Sequence, residues 1–189
     1  EVILLPAIHG YPDAPFVEDT TVVFDHVALA CPNKEKSRRG EGSSIHKEIK
    51  KYRTIKTLPR SVTLDGGDVL TTEEKIFVGI SSRTNRNAVD ALAKFTKKPV
   101  IPVEVLFGLH LKTSVSYLGN NILVLDPSSV DTSPLREFKW IEIRRPNRYF
   151  ANCLAIGNTV LISKGSNEVA DKIHKEGFKT LSLDISEFE

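Results

Sequence analysis

Two neighbouring acids, Glu18 and Asp19, interrupt the apolar run FVEDTTVVF that begins at Phe16. Read as a strand, the run sends alternate side chains to opposite faces, so one of the two carboxylates must point inward. A buried carboxylate keeps its charge only beside a cation or several donors. Between Asp13 and Asp25 there are four acids and no Lys or Arg to serve as that cation. A second pair, Asp65 and Asp68, flanks Gly66 and Gly67 in SVTLDGGDVL. Glycine permits positive φ or close backbone approach, so the two carboxylates can be aimed at one point. An Asx or calcium-like turn reads as well from the spacing, although hard cations usually draw more oxygens from one loop. Arg83, in VGISSRTN, follows a strand end among small polar residues. Such a loop could present a planar guanidinium to a carboxylate, and a plain helix-entry loop fits too. His110 lies between two leucines in FGLHLKTSVSYLG, where it reads either as a satisfied core residue or as a proton-transfer group. Cys31 in ALACPNK and Cys153 in ANCLAI are the only cysteines. Both read as small buried hydrophobes, with no CxxC spacing for zinc and too few thiols for a disulfide framework.

The elements that must position these side chains repeat along the chain. Two short apolar strands joined by a tight turn are followed by a polar loop, an amphipathic helix and a further strand. The hairpins are FVEDTTVVF with DHVALAC, GGDVL with IFVGI, SVSYLG with ILVLD across Asn-Asn, and NCLAI with TVLIS across Gly-Asn, turn chemistry suited to hairpins. A helix is expected after each: Ile45, Ile49 and Tyr52 recur at helical spacing, as do Ala88, Leu92 and Phe95, and Val169 and Ile173 before a capping Gly177. TIKTL, VIPVEV, KWIEI and KTLSL supply the third strands. The unit is therefore ββαβ, and no copy could bury its apolar face alone, which implies stacked or radial packing.

Composition narrows the class. The chain has 189 residues, 40% hydrophobic and 26% charged, the profile of one globular domain rather than a disordered or fibrous chain. Lys+Arg 26 against Asp+Glu 24 is too balanced to imply nucleic acid or an anionic membrane as the main partner. Lys34 to Arg60 is locally basic but poor in aromatics, which reads as a solvated face. No apolar run approaches membrane-span length, and the start EVILLPAIHG has no signal-peptide pattern, so a cytoplasmic location is expected. The chain holds no Met, and its strand-like opening reads as a cut or processed end.

PDAPFVEDTTVVF, SRRGE, TLDGGDVL, FVGISSRTN and GLHLKTSVSYLG stand in an order and at spacings that resemble the dimethylarginine dimethylaminohydrolase branch of the guanidino-modifying, or pentein, superfamily. ANCLAIGNTVLI and the terminal LSLDISEFE are similar to it as well, so the resemblance covers nearly the whole chain. It implies a five-bladed, pseudo-symmetric α/β propeller with a central active site. Some four units are present, which implies one pentein domain, 1–189, truncated at both ends. Matched motif by motif, Asp13, Glu18 and Asp19 would embrace a substrate guanidinium. Asp65 would be the carboxylate partner at the catalytic centre, with Asp68 beside it. Arg38 and Arg83 would hold an amino acid's α-carboxylate and support the pocket, and His110 would be the catalytic histidine, its imidazole in one central cavity with Glu18 and Asp65. The partner implied is a small molecule, methylated arginine or arginine, with no cofactor, no metal, no nucleic acid and no membrane; oligomeric state is left open.

The family's nucleophilic cysteine follows the stretch matched by SEFE, and neither Cys31 nor Cys153 occupies its place. The resemblance therefore implies a nucleophile beyond Glu189, a covering lid also outside the chain, and 189 residues that bind but do not hydrolyse. For dimethylarginine the products would be citrulline and dimethylamine. Arginine deiminase chemistry, or a non-catalytic pentein binding a guanidino ligand or a partner, are the alternatives.

Overall fold

The computed structural model describes residues 2–188. Glu1 and Glu189, the outermost residues of EVILLPAIHG and LSLDISEFE, lie outside the described residues. Among the described residues, twelve strands form four separate three-stranded sheets. The first holds β1 (Thr21–Val23), β2 (Val27–Ala30) and β3 (Thr54–Thr57), the second β4 (Val69–Thr71), β5 (Ile76–Ile80) and β6 (Val100–Glu104). The third holds β7 (Val115–Gly119), β8 (Ile122–Leu125) and β9 (Lys139–Glu142), the fourth β10 (Leu154–Ile156), β11 (Thr159–Ser163) and β12 (Lys179–Leu183). In every sheet the first strand runs antiparallel to the second and the second parallel to the third. A parallel return needs a crossover, supplied by α1 (Gly42–Ile49), α2 (Asn87–Ala93) and α3 (Asn167–Lys175). This is the α/β arrangement of repeated units expected from the sequence, ββαβ in the first, second and fourth.

Alternation along the strands ties the sheets together. In β5, Ile76 and Val78 enter the core shared with the first sheet, while Phe77 between them enters the core shared with the third. In β8, Leu123 and Leu125 face the second sheet, and Ile122 and Val124 face the fourth. Each interior strand thus feeds two cores, and each fully buried Leu, Ile or Phe contributes about 1.5–3 kcal/mol. No buried cluster among the described residues joins the fourth sheet to the first. On those outer faces Val23, Leu154, Ile156 and Leu181 are exposed.

Three expectations need correction. The third unit has no α-helix: a 3-10 turn, Ser133–Leu135, makes its crossover, because Pro127 and Pro134 in DPSSVDTSPL remove donors and restrict the residues before them. Tyr52 lies beyond α1 and is exposed. Glu18 and Asp19 are not in a strand at all. Val17–Thr20 is a 3-10 turn ahead of β1, so their placement follows from a turn and not from strand alternation. The same device opens every unit: Gly66–Asp68 precedes β4, Leu111–Thr113 precedes β7 and Asn147–Ala151 precedes β10. The Asn120-Asn121 hairpin is as expected, both residues at positive φ of 52 and 61.

Candidate active site

The first three entry turns pack against one another and bring Asp19, Asp65 and His110 together. The Gly66-Gly67 pair makes this possible by close approach, not by positive φ. A Cβ on Gly66 would lie 2.0 Å from the carbonyl oxygen of Glu18, and one on Gly67 would lie 2.8 Å from Asp19 Oδ1 and 3.0 Å from His110 Cγ. Asp19 Oδ1 accepts from the Gly67 amide at 3.0 Å. Asp65 is wholly buried. Its Oδ1 accepts from Asn33 Nδ2 at 2.9 Å, and its Oδ2 lies 3.3 Å from His110 Nε2.

Arg38 completes the cluster from the opposite side to that expected. Its guanidinium is buried, with Nη1 2.8 Å from Asp19 Oδ2 and Nε donating to Glu41 Oε2 at 2.9 Å. Asp65 Oδ2 and Asp13 Oδ2 are each 3.8 Å away, and the Asp13 carbonyl accepts from Nη2 at 3.4 Å. A guanidinium among carboxylates is the arrangement the sequence led us to expect of a ligand, and here the chain's own arginine takes part in it.

These contacts set the charge states. Burial pushes the Asp65 carboxyl up, but hydrogen bonds from His110 and Asn33 and the charges of His110 and Arg38 outweigh it and hold it below its ordinary value. Burial pushes the His110 imidazole down, and the bond to Asp65 with the charges of Asp19, Asp68 and Asp65 outweighs that and raises it. The two shifts favour an ionised Asp65 facing a protonated His110, with the Nε2 proton on the shared edge. One donor atom each from Asp19, Asp65 and His110 lies within 4.8 Å of the others, close enough to hold a metal ion. His110 Nε2 and Asp65 Oδ2 are spent on each other, however, and Arg38 already neutralises Asp19, so the donor set does not call for one.

Other expected residues stand apart. Glu18 is exposed and pairs with Lys112 Nζ at 2.6 Å rather than joining the cluster. A cavity of about 930 Å³ is reached by Glu18, Gly66, Lys112 and Cys153 but not lined by His110 or Asp65. Glu18 thus reaches this cavity, whereas the buried His110 and Asp65 do not line it, unlike the expectation that the three share one central cavity. Asp65 and Asp68 do not aim at one point either. The intervening turn sends Asp65 to the imidazole and Asp68 to the Leu111 amide, 2.8 Å away. Arg83 has one buried Nη1 with no hydrogen-bond partner, 3.7 Å from Glu35 Oε1. Burial raises both thiols, Cys31 strongly and Cys153 to about 11. Sequence reasoning missed Glu41 and Lys112, although SRRGE and GLHLKTS contain them. Nothing in ALACPNK signalled Asn33.

No family model matches the chain. A dimethylarginine dimethylaminohydrolase of Streptomyces coelicolor is 31% identical over 183 residues, covering 94% of this chain and 70% of the relative. The chain belongs to the dimethylarginine dimethylaminohydrolase family. That makes it an amidine hydrolase of the guanidino-modifying class. The enzyme of that name from Pseudomonas aeruginosa is 27% identical over 195 residues, covering all of this chain and 76% of the relative. Its solved structure, a Cys-to-Ser variant complexed with citrulline, superposes at a TM-score of 0.91 over 97% of this chain and 74% of that one, at 28% identity. A cyanobacterial arginine dihydrolase shares the fold at a TM-score of 0.90 and 19% identity, over 96% of this chain and 73% of that one. No described helix is long and apolar enough to cross a membrane.

Proposed function

We propose that the protein to which this pentein domain belongs cleaves the guanidinium C–N bond of a methylated arginine, with dimethylarginine giving citrulline and dimethylamine. The observation that carries the reading is the buried contact of His110 Nε2 with Asp65 Oδ2, 3.3 Å, beside the carboxylate Asp19. In this reading Asp13 and the second lone pairs of the Asp19 and Asp65 oxygens offer acceptors to the planar, permanently charged substrate head. The nucleophile is a cysteine thiolate outside these residues, since the thiols of Cys31 and Cys153 are both pushed up by burial and a thiol must ionise to attack. Sulfur attacks the guanidinium carbon, and His110 passes its proton to the departing dimethylamine as the C–N bond breaks. Water then adds to the amidino-thioether, giving up a proton to His110, and the C–S bond breaks to release citrulline and the thiolate. The raised proton affinity of His110 suits the first role, and the same group returns as base in the second.

Arg83 is assigned the substrate's α-carboxylate, because its buried Nη1 lacks a hydrogen-bond acceptor. Arg38 was expected to share that task, but its donors are spent on Asp19 and Glu41. Its part in this reading is to fix the carboxylates in place. The neighbours lend support: the Pseudomonas structure holds citrulline in a Cys-to-Ser variant, and a related structure is a His-to-Gly variant bound to S-methyl-L-thiocitrulline. The test is to give the full-length protein dimethylarginine, arginine and agmatine separately and measure citrulline, dimethylamine and ammonia. Citrulline with dimethylamine, and little turnover of agmatine, is the expected result. Ammonia from arginine without dimethylamine from dimethylarginine would move the protein to deiminase chemistry, and no product from any of the three would remove the reading.

A further inference from the structure

We propose that Asp68 is a positioning residue that locks the His110 turn and the Arg83 loop into one unit, an inference that rests on the proton-transfer reading of His110. Asp68 is wholly buried. Its two oxygens serve different loops. Oδ1 accepts from the Leu111 amide at 2.8 Å, and Oδ2 accepts from Ser81 Oγ at 2.7 Å. Leu111 heads the 3-10 turn immediately after His110, and that turn closes on the His110 carbonyl, to which Thr113 Oγ1 donates at 2.6 Å. The first amides of such a turn have no partner within it, so the carboxylate satisfies one of them and fixes the backbone from which the imidazole projects.

On the other side Ser81 Oγ, while donating to Asp68, accepts from the amides of Arg83 at 3.0 Å and Thr84 at 3.2 Å. Thr84 Oγ1 in turn accepts from the Asp65 amide at 3.1 Å. A single buried carboxylate therefore joins the backbone carrying the proposed acid–base group to the backbone carrying the proposed carboxylate ligand. Gly79 is the position that admits it, since a Cβ there would lie 2.6 Å from Asp68 Oδ1 and 2.7 Å from Leu111 Cβ. Asp68 touches no reacting atom in this scheme and acts only through His110 and Arg83.

The substitution Asp68→Asn keeps the shape but can accept on one oxygen only, so the other donor is left facing an amide NH2. In the full-length protein it should lower kcat by about 10²-fold, the scale of a displaced catalytic group, with KM within a few-fold. It should also move the alkaline limb of the kcat profile to lower pH. The charged groups around the imidazole are Asp19, Asp65 and Asp68, with Arg38 and Cys31 beyond Asp65 and Lys112 engaged by Glu18. Burial raises the Asp68 carboxyl, against hydrogen bonds from Thr84 and Ser81 and the charge of His110; to the extent that Asp68 is ionised, removing its charge makes the imidazolium easier to deprotonate. Ser81→Ala should instead raise KM more than it lowers kcat, and it carries the test should Asp68→Asn fail to fold. Wild-type kcat with an unmoved limb in Asp68→Asn, or equal changes in kcat and KM for Ser81→Ala, would overturn the proposal. Titration of the His110 ring by NMR separates it from the hydrolase reading. A downward shift in Asp68→Asn without turnover of any guanidino compound keeps the coupling and removes only the reaction; no shift removes the coupling.

Discussion

The four entry turns occupy equivalent positions in four similar units, yet only three converge on charge. Val17–Thr20, Gly66–Asp68 and Leu111–Thr113 bring Asp19, Asp65, Asp68 and His110 below a tenth exposed. The fourth, Asn147–Ala151, ends on buried Ala151, whose carbonyl accepts from Ser116 Oγ at 2.8 Å. Its cation, Arg148, lies over the Phe107 ring at 3.8 Å from the centroid, next to exposed Leu106. One backbone device therefore serves two ends. Where glycines let the turns approach within contact of each other, polar groups can satisfy one another in the interior. Where the turn meets the third sheet through a serine and an alanine, it only closes the core. A repeat explains where a site can form, and the side chains at the turn decide whether one does.

The sharpest way to break this contrast is to delete the polar group from one turn of each kind. His110→Ala in the full-length protein should lower turnover by ~10²–10⁴-fold, the usual worth of general acid–base help, with substrate affinity held within tenfold. Arg148→Ala, from the fourth turn, should leave turnover within about twofold, the cation–π contact being worth only ~0.5–1 kcal/mol at an exposed site. Steady-state assays of both variants check it. Equal losses would mean that the fourth turn belongs to the site.

The acids of the first turn sharpen the contrast within a single turn. Asp19→Asn loses the carboxylate shared by Arg38 and Gly67, and charge-assisted bonds contribute about 1.5–3 kcal/mol each. A rise in KM and a lower Tm are expected together. Glu18→Gln removes a pair that is exposed on the acid side, for which about 0–1 kcal/mol is the usual range. If Glu18→Gln raises KM as much as Asp19→Asn does, the family-based expectation that both grip the substrate stands and the separation drawn here fails.

How much of this was legible before the structure depends on what each residue type can reveal. Hairpins were readable because Asn-Asn and Gly-Asn turns have few conformations open to them, and strand alternation was readable because it is local. The third unit lacks the helix that its neighbours' pattern predicts, because Pro127 and Pro134 oppose one. Glu18 and Asp19 read as strand residues because TTVVF continues them, whereas their 3-10 turn packs on Gly66, a contact between residues 48 apart as in the Gly67–Asp19 bond. Arg38 reads as a carboxylate ligand for the same reason. Nothing in SRRGE tells which distant carboxylates will surround it.

The buried pair also makes a prediction about pH. His110 carries a raised folded pKa, so its contribution is complete below about 6.5, the unperturbed value, and is lost as pH rises through the folded value. Asp65 carries a lowered one, so its contribution is complete above about 3.9 and is lost as pH falls through the folded value. Between those limits both act together. Thermal unfolding followed across pH should show His110→Gln losing most stability near pH 5–6, by about 1.5–3 kcal/mol, and approaching wild type on the alkaline side. A deficit independent of pH would mean that packing, not charge, is what His110 contributes.

Adding a methyl group to the two kinds of unit separates close approach from backbone conformation. Gly66→Ala would set a Cβ 2.0 Å from the Glu18 carbonyl oxygen, and backbone oxygen cannot swing aside as a side chain can. The first two turns must separate, at about 1–3 kcal/mol for overpacking, and turnover should fall with Tm because Asp19 and His110 both pack on Gly67. Gly157, in the hairpin of the fourth unit, has φ of 58 and open space around its missing Cβ. Alanine there meets only the left-handed backbone, roughly 1–2 kcal/mol, and turnover should not change. Asparagine tells the two causes apart. It tolerates the left-handed region, so Gly157→Asn should recover most of the loss seen with alanine, whereas Gly66→Asn adds bulk to a contact already too close and should be worse than alanine. Recovery at Gly66 would show that conformation rather than approach is what that glycine provides, and the account of why the charged turns can meet would have to change.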